Sequence, residues 1–270
     1  MRLLLEPRRA ERLEEQVLRR LVARARPPLR LPVAELFTRA FGSPDPWQAR
    51  ALASTADRML LNVTRQGGKS SVAATLAMHA AVTVADALVL LLSPSLRQSQ
   101  ELFQKALAAY RAIAADLPAD AESALRLQLT NGARIISLPG HESTIRGYSG
   151  VTLLVVDEAS RVSDDLYHAI RPMLAVSQGR LLALSTPFGK RGWWWEAWSG
   201  REAWERVEVP ATACPRIAPA FLAEEAAALP RHVYEREYLC QFHEPEDAVF
   251  GYDDIRAAFD PTVEALEWPA

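Results

Sequence analysis

Two uninterrupted apolar runs constrain this chain most, Ala87-Leu88-Val89-Leu90-Leu91-Leu92 and Leu153-Leu154-Val155-Val156. Neither alternates with polar residues, so neither fits a strand with one wet face; both read as strands buried on two sides. Helical stretches lie between them, with an Ala-rich segment from Lys69 to about Val82 and another from about Leu96 to Ala114. Met59 to Val63, Arg180 to Leu184 and Arg206 to Val209 supply further strands. This alternation predicts an α/β chain with a mainly parallel sheet and helices on its faces. Asn131-Gly132, between Leu125–Thr130 and Ala133–Leu138, predicts an antiparallel hairpin inserted into that pattern. Beyond residue 210 the pattern becomes helical, at roughly 218–229, 230–242 and 252–259.

Composition narrows the class. Basic and acidic residues nearly balance, at 31 and 33 in 270 residues, and 49% of the chain is hydrophobic, which excludes whole-chain disorder. Cys214 and Cys240 are too few for a disulfide framework or a four-cysteine zinc site and read as reduced thiols. The longest uncharged stretch, Ser70 to Ala85, is too short and too polar to span a bilayer. The N-terminus breaks into charge by Glu6, so no secretory signal is visible. Residues 1–30 carry nine Arg and four Glu, and Leu13, Val17, Leu18, Leu21 and Val22 stripe one face of a predicted amphipathic helix there. Only Lys69, Lys105 and Lys190 of the 31 basic residues are lysine, a bias that GC-rich coding explains.

In parallel sheets ligands gather beyond the carboxyl ends of strands. Three predicted strands end here in residues that phosphate chemistry uses. Val63 leads into Thr64-Arg65-Gln66-Gly67-Gly68-Lys69-Ser70-Ser71, a strand, a loop and then a helix. Gly67 and Gly68 let backbone N–H groups approach phosphate oxygens, and the helix N-terminus adds partial positive charge. Lys69 is placed to reach the β- and γ-phosphates, and the Ser70 hydroxyl to ligate magnesium. Val63 stands where the usual phosphate-loop pattern has its leading glycine. Asp157 and Glu158 close the second strand; Asp157 suits a magnesium contact and Glu158, one residue further out, suits polarisation of an attacking water. Leu184-Ser185-Thr186-Pro187 closes the third, where the hydroxyls of Ser185 and Thr186 can sense the γ-phosphate or simply cap a turn. Arg65 has a guanidinium suited to phosphate oxygens or to Glu158, and Gln48 an amide suited to an adenine edge. Together these residues predict nucleotide hydrolysis.

At Pro46-Trp47-Gln48, Thr64–Ser70, Leu153–Ala159 and Leu184–Pro187 the sequence resembles the ATPase domain of the large terminase subunit, the DNA-packaging motor of tailed bacteriophages. These stretches look like that family's adenine motif, deviant Walker A, Walker B and coupling motif, in order. Thr144-Ile145-Arg146-Gly147, Glu237-Tyr238 and Phe242 also fit, and the arginine inside the deviant Walker A accounts for Val63. The resemblance implies a RecA-like (ASCE-type) P-loop ATPase core over about 31–210, a small helical lid subdomain over 211–270, and ATP with Mg2+ as ligands. It further implies a homo-oligomeric ring, pentameric in type, docked on a portal protein and served by a small terminase subunit, driving double-stranded DNA in the host cytoplasm. Arg97 and Arg146 are the candidates for an arginine completing a neighbour's site. Full-length members carry a nuclease domain that this chain, stopping at Ala270, does not include, so cleavage of DNA is not expected of it.

Other features carry less. Trp193, Trp194, Trp195 and Trp198 are expected to pack on the sheet, leaving Lys190 and Arg191 as better DNA contacts. The five histidines show no metal-ligand spacing, and Asp164-Asp165 and Asp253-Asp254 read as helix caps. A two-domain helicase needs more chain than 270 residues, and the Asp157-Glu158 pair favours hydrolysis over a phosphate-transferring kinase. A nucleotide-dependent assembly switch with little turnover in isolation stays open.

Overall fold

A computed structural model describes residues 29–140, 147–244 and 249–259. The predicted amphipathic helix therefore lies almost wholly outside the described residues, as does Arg146. The elements run α1 (Val33–Phe41), α2 (Pro46–Ala53), β1 (Arg58–Val63), α3 (Lys69–Thr83), β2 (Leu88–Ser93), α4 (Leu96–Arg111), β3 (Ala119–Glu122), β4 (Arg126–Leu129) and β5 (Arg134–Pro139). They continue with β6 (Leu153–Asp157), α5 (Asp164–Ile170), β7 (Arg180–Ser185), α6 (Gly192–Ser199), β8 (Glu205–Val209), α7 (Pro219–Ala228), α8 (Arg231–Leu239) and α9 (Tyr252–Ala258).

Eight strands form one sheet in the order β3-β4-β5-β2-β6-β7-β1-β8. From β5 to β8 every pairing is parallel, and β3, β4 and β5 pair antiparallel at one end. Period-two geometry divides the apolar runs between the faces. Val89, Leu91, Leu153 and Val155 pack beneath α1 to α4, and Leu88, Leu90, Leu92, Leu154 and Val156 pack beneath α5 and α6. Each such leucine, fully withdrawn from water, contributes roughly 1.5–3 kcal/mol.

The Asn131-Gly132 turn joins β4 to β5 as predicted, with Gly132 at φ +85° and the Asn131 amide donating to Ala81 O at 2.9 Å. The insertion is larger than a hairpin, because β3 pairs on the outside of β4. Trp193, Trp194 and Trp198 join the core on one face of the sheet as expected, whereas Trp195 lies against Phe242 and Tyr252 instead. Trp193 and Trp194 are buried, and Trp193 stacks on Tyr167 with ring centroids 3.9 Å apart. Asp164 caps a helix other than its own: its Oδ1 accepts from Trp193 N–H at the start of α6, while Ser163 caps α5. Among the described residues no helix is long and apolar enough to cross a membrane.

Candidate active site

β1 delivers the first wall. Its last residue, Val63, is fully buried, and the chain then turns through Thr64–Gly68 into α3. The turn requires its glycines. A Cβ at Gly67 would stand 2.6 Å from Val63 Cγ1, and Gly68, the N-cap of α3, sits at φ +91°. Gln66 adopts φ +59°, a left-handed conformation that costs a non-glycine residue energy. The unpaired N–H groups at the start of α3 thus open onto the loop.

β6 and β7 deliver the second wall. Asp157 ends β6 in register with Leu184 of β7. Glu158 follows at φ +49°, a second strained position, and this turn sends its side chain back toward the loop. The Lys69 ammonium lies 3.3 Å from Glu158 Oε1 although β7 intervenes between β1 and β6. Asp157 is buried and accepts from the Glu158 N–H at 3.0 Å. Burial pushes its carboxyl up to about 6, with Lys69 pulling the other way and Glu158 adding to the rise. Ser185 is fully buried at the end of β7, donates to Ser160 Oγ at 2.8 Å and accepts from Ser160 N–H at 3.2 Å. That pair ties the end of β7 to the turn after Glu158. Thr186 is buried beside it.

A cleft of about 590 Å³ opens between the walls, lined on the loop side by Arg65, Gln66, Gly68, Lys69, Ser70 and Ser71. Glu158 faces them, joined by four residues that sequence reasoning did not select: Gln98, Lys105, Arg161 and Arg216. Arg216 donates to Asp45 Oδ2 and to Gly67 O, both at 2.9 Å, and so closes the loop from the β8 side. Arg161 lies over the Phe188 ring, 3.5 Å from its centroid. Arg161 follows Glu158 in the same turn, whereas Gln98, Lys105 and Arg216 reach the cleft from elements remote in sequence and carry no local signal.

Two of the expected side chains are engaged by protein partners. Arg65 pairs with Glu237 at 2.5 Å, not with Glu158, because α8 lies against the outer side of the loop. Gln48 is buried with its carbonyl oxygen accepting from Asp45 N–H at 2.9 Å and its amide 3.4 Å from Gly68 O. Its side chain therefore braces the start of α2 against the phosphate loop. Arg97 is exposed in the first turn of α4 and does not line the cleft.

The helical segment beyond β8 joins this site through polar bonds. Thr64 Oγ1 donates to Glu237 O and Asn62 Nδ2 to Cys240 O, both at 2.9 Å. These bonds satisfy carbonyls at the C-terminus of α8, where Cys240 turns left-handed at φ +59°. Among the described residues no cluster of three or more His, Cys, Asp or Glu forms a metal site.

The family described as "Terminase large subunit, T4likevirus-type, N-terminal" matches residues 60–257. No curated protein matches the chain. Among solved structures, the large terminase ATPase domain of Thermus phage P74-26 superposes with a TM-score of 0.69 at 20% identity, covering 79% of this chain and 100% of that one. The large terminase of thermophilic bacteriophage D6E in complex with ADP gives 0.64 at 12% identity over 74% of this chain and 53% of that one. The HK97 bacteriophage large terminase gives 0.63 at 19%, over 78% and 55%. The chain spans about half the length of the last two proteins. At these identities the structures establish a shared RecA-like α/β fold, while the family match extends over most of the sequence. On that match, the chain belongs to the large terminase subunit family, in its N-terminal region.

Proposed function

We propose that the cleft binds ATP and hydrolyses it, and that hydrolysis drives double-stranded DNA into a viral procapsid. The observation that carries the reading is the meeting of Lys69 and Glu158 at 3.3 Å across β7. A cation at a helix N-terminus and a carboxylate on a strained turn share one cleft, with glycines where a phosphate would approach backbone.

In this reading Gly67, Gly68 and the first N–H groups of α3 cradle the phosphates with Thr64, Gln66 and Ser71, and Lys69 shifts from Glu158 to the β- and γ-phosphate oxygens. Glu158 is thereby released to take up a proton from a water. The water oxygen bonds to the γ-phosphorus, the bond from that phosphorus to the bridging oxygen breaks, and ADP and phosphate leave. The donor set suits Mg2+: Asp157 is a buried carboxylate whose own burial disfavours its charge, and Ser93 one strand over, just beyond the paired Leu92–Val156 position, has a buried hydroxyl without a hydrogen-bond partner. Asp157 and Ser70 would hold the ion, which when bound neutralises phosphate charge.

Transmission follows from what the loop is bonded to. Asn62, Thr64 and Arg65 all reach α8, so movement of the loop on binding or release of phosphate pulls directly on the helical segment beyond β8. Ser185 and Thr186 form a second route, from the turn after Glu158 to β7 and onward to α6. Residues 31–210 act as the core and 211–270 as the lid. The ring of subunits, its portal, the small terminase subunit and action in the host cytoplasm come with the family reading, and Arg97 or Arg146 would complete a neighbour's site.

The test is steady-state ATP turnover against protein concentration, with and without duplex DNA. Superlinear dependence, steepened by DNA, is the expected result. Absence of turnover at every concentration, with DNA present, would overturn the reading.

A further inference from the structure

Lysine is rare in this chain, with three against 28 arginines. A coding bias toward arginine makes each lysine a position where a guanidinium has not taken over. Lys69 is one, at the head of α3. Lys190 is another, 3.0 Å from Glu244 and with its ammonium 5.9 Å from the Trp195 ring centroid. The third, Lys105, lines the same cleft as Lys69.

Lys105 sits on α4 two helical turns beyond Gln98, which also lines the cleft. It is half-buried, and among the described residues its ammonium has no ion-pair or hydrogen-bond partner. Burial pulls its pKa down, Asp157 pushes it back up, Lys69 lowers it again and Glu101, one turn back on α4, raises it, so the cleft's Asp157 and Lys69 both lie within its electrostatic reach. Withdrawing an ammonium from water without a partner is unfavourable. A bound anion would supply the missing partner.

Strand order says which part of the anion this is. Read across the sheet, β2 is followed by β6, β7, β1 and β8. Arg216 and Gln48 approach from the β8 and α2 side, the phosphate loop follows β1, and Asp157 with Glu158 follows β6. α4 leaves from β2, beyond β6. A cation on α4 therefore meets the end of the ligand that lies over the carboxylates. An ammonium also suits this place better than a guanidinium, being a compact charge with three rotatable donors on an unbranched stem.

We propose that Lys105 is a second triphosphate-binding cation of this site, supplied from α4 beside the phosphate-loop helix α3, and that it contacts the γ-phosphate end as an ammonium. The inference rests on the ATP reading given above and adds a residue to it.

The experiment compares binding of fluorescent mant-ATPγS and mant-ADP, each with Mg2+, to the full chain and to its K105M and K105R variants. Methionine keeps the apolar stem, and thermal melts verify that each variant folds. One charge-assisted hydrogen bond lost predicts mant-ATPγS binding weaker by about ten- to a hundredfold in K105M. The mant-ADP affinity is expected to stay within about twofold, and K105R to fall short of the wild type for mant-ATPγS. Wild-type affinity of K105M for mant-ATPγS, or an equal loss for both nucleotides, overturns the γ-end assignment; full recovery in K105R overturns the need for an ammonium. Failure of the wild-type chain to bind mant-ATPγS at all would instead remove the ATP reading beneath it, a result distinct from any failure confined to the variants.

Discussion

The inner strands and the helices beyond β8 are held in place by different forces. β2, β6 and β7 bury leucines and valines on both faces, and all six residues of β2 are buried. α7 buries only Leu222 and α8 buries no residue. What fixes α8 is a set of polar bonds from β1 and its loop: Asn62 to Cys240 O, Thr64 to Glu237 O and Arg65 to Glu237. Close-packed apolar contacts resist displacement, whereas hydrogen bonds exchange partners at small net cost. The difference teaches where motion is affordable: a rigid sheet carries the chemistry, and a bonded, only half-buried helix can be reset by it.

That contrast can be attacked from the core outward. Leu90→Ala, in the centre of β2, is expected to destabilise the chain by about 2–5 kcal/mol in urea unfolding. Asn62→Ala removes the bonds to Cys240 O and Glu208 Oε2 and is expected to cost about 1 kcal/mol. Its effect should be local, with faster amide exchange over Arg231–Leu239 and β2 unchanged. Should Asn62→Ala lower global stability as much as Leu90→Ala, α8 belongs to the core and the contrast fails.

A further prediction concerns pH. Cys240 is fully buried, and burial pushes its thiol from 9.0 up to about 12. Between these values the unfolded chain has lost the proton while the folded chain keeps it, so stability falls as pH rises from about 9 toward 12. Cys240→Ala should flatten that slope, and iodoacetamide at pH 8 should leave Cys240 unlabelled until urea unfolds the protein.

Much of this architecture was legible because burial on two faces forces an uninterrupted apolar run, which is why β2 and β6 stand out by eye. Gly67-Gly68-Lys69-Ser70 and Asp157-Glu158 were equally plain, since each sits where a strand stops. α1 went unread: Pro32 stands at its N-cap without a side-chain bond, and only Leu36 and Phe37 are buried in it. β3 is Ala-Asp-Ala-Glu, poor strand formers that pair only because β4 offers an edge. The Arg65–Glu237 pair is not legible in the sequence, because Glu237 is remote and no local pattern announces it. Arg216 and Lys105 were missed for the same reason. Contacts made across the fold leave no period to find.

The central claim is that Lys69 and Glu158 serve one nucleotide in different ways, and paired binding and turnover assays on two variants test it most directly. Lys69→Ala should lose ATP binding along with turnover. Glu158→Gln should bind mant-ATPγS as the wild type does while hydrolysing ATP at least about a hundredfold more slowly. Undiminished hydrolysis by Glu158→Gln would remove that carboxylate from the chemistry and contradict the account.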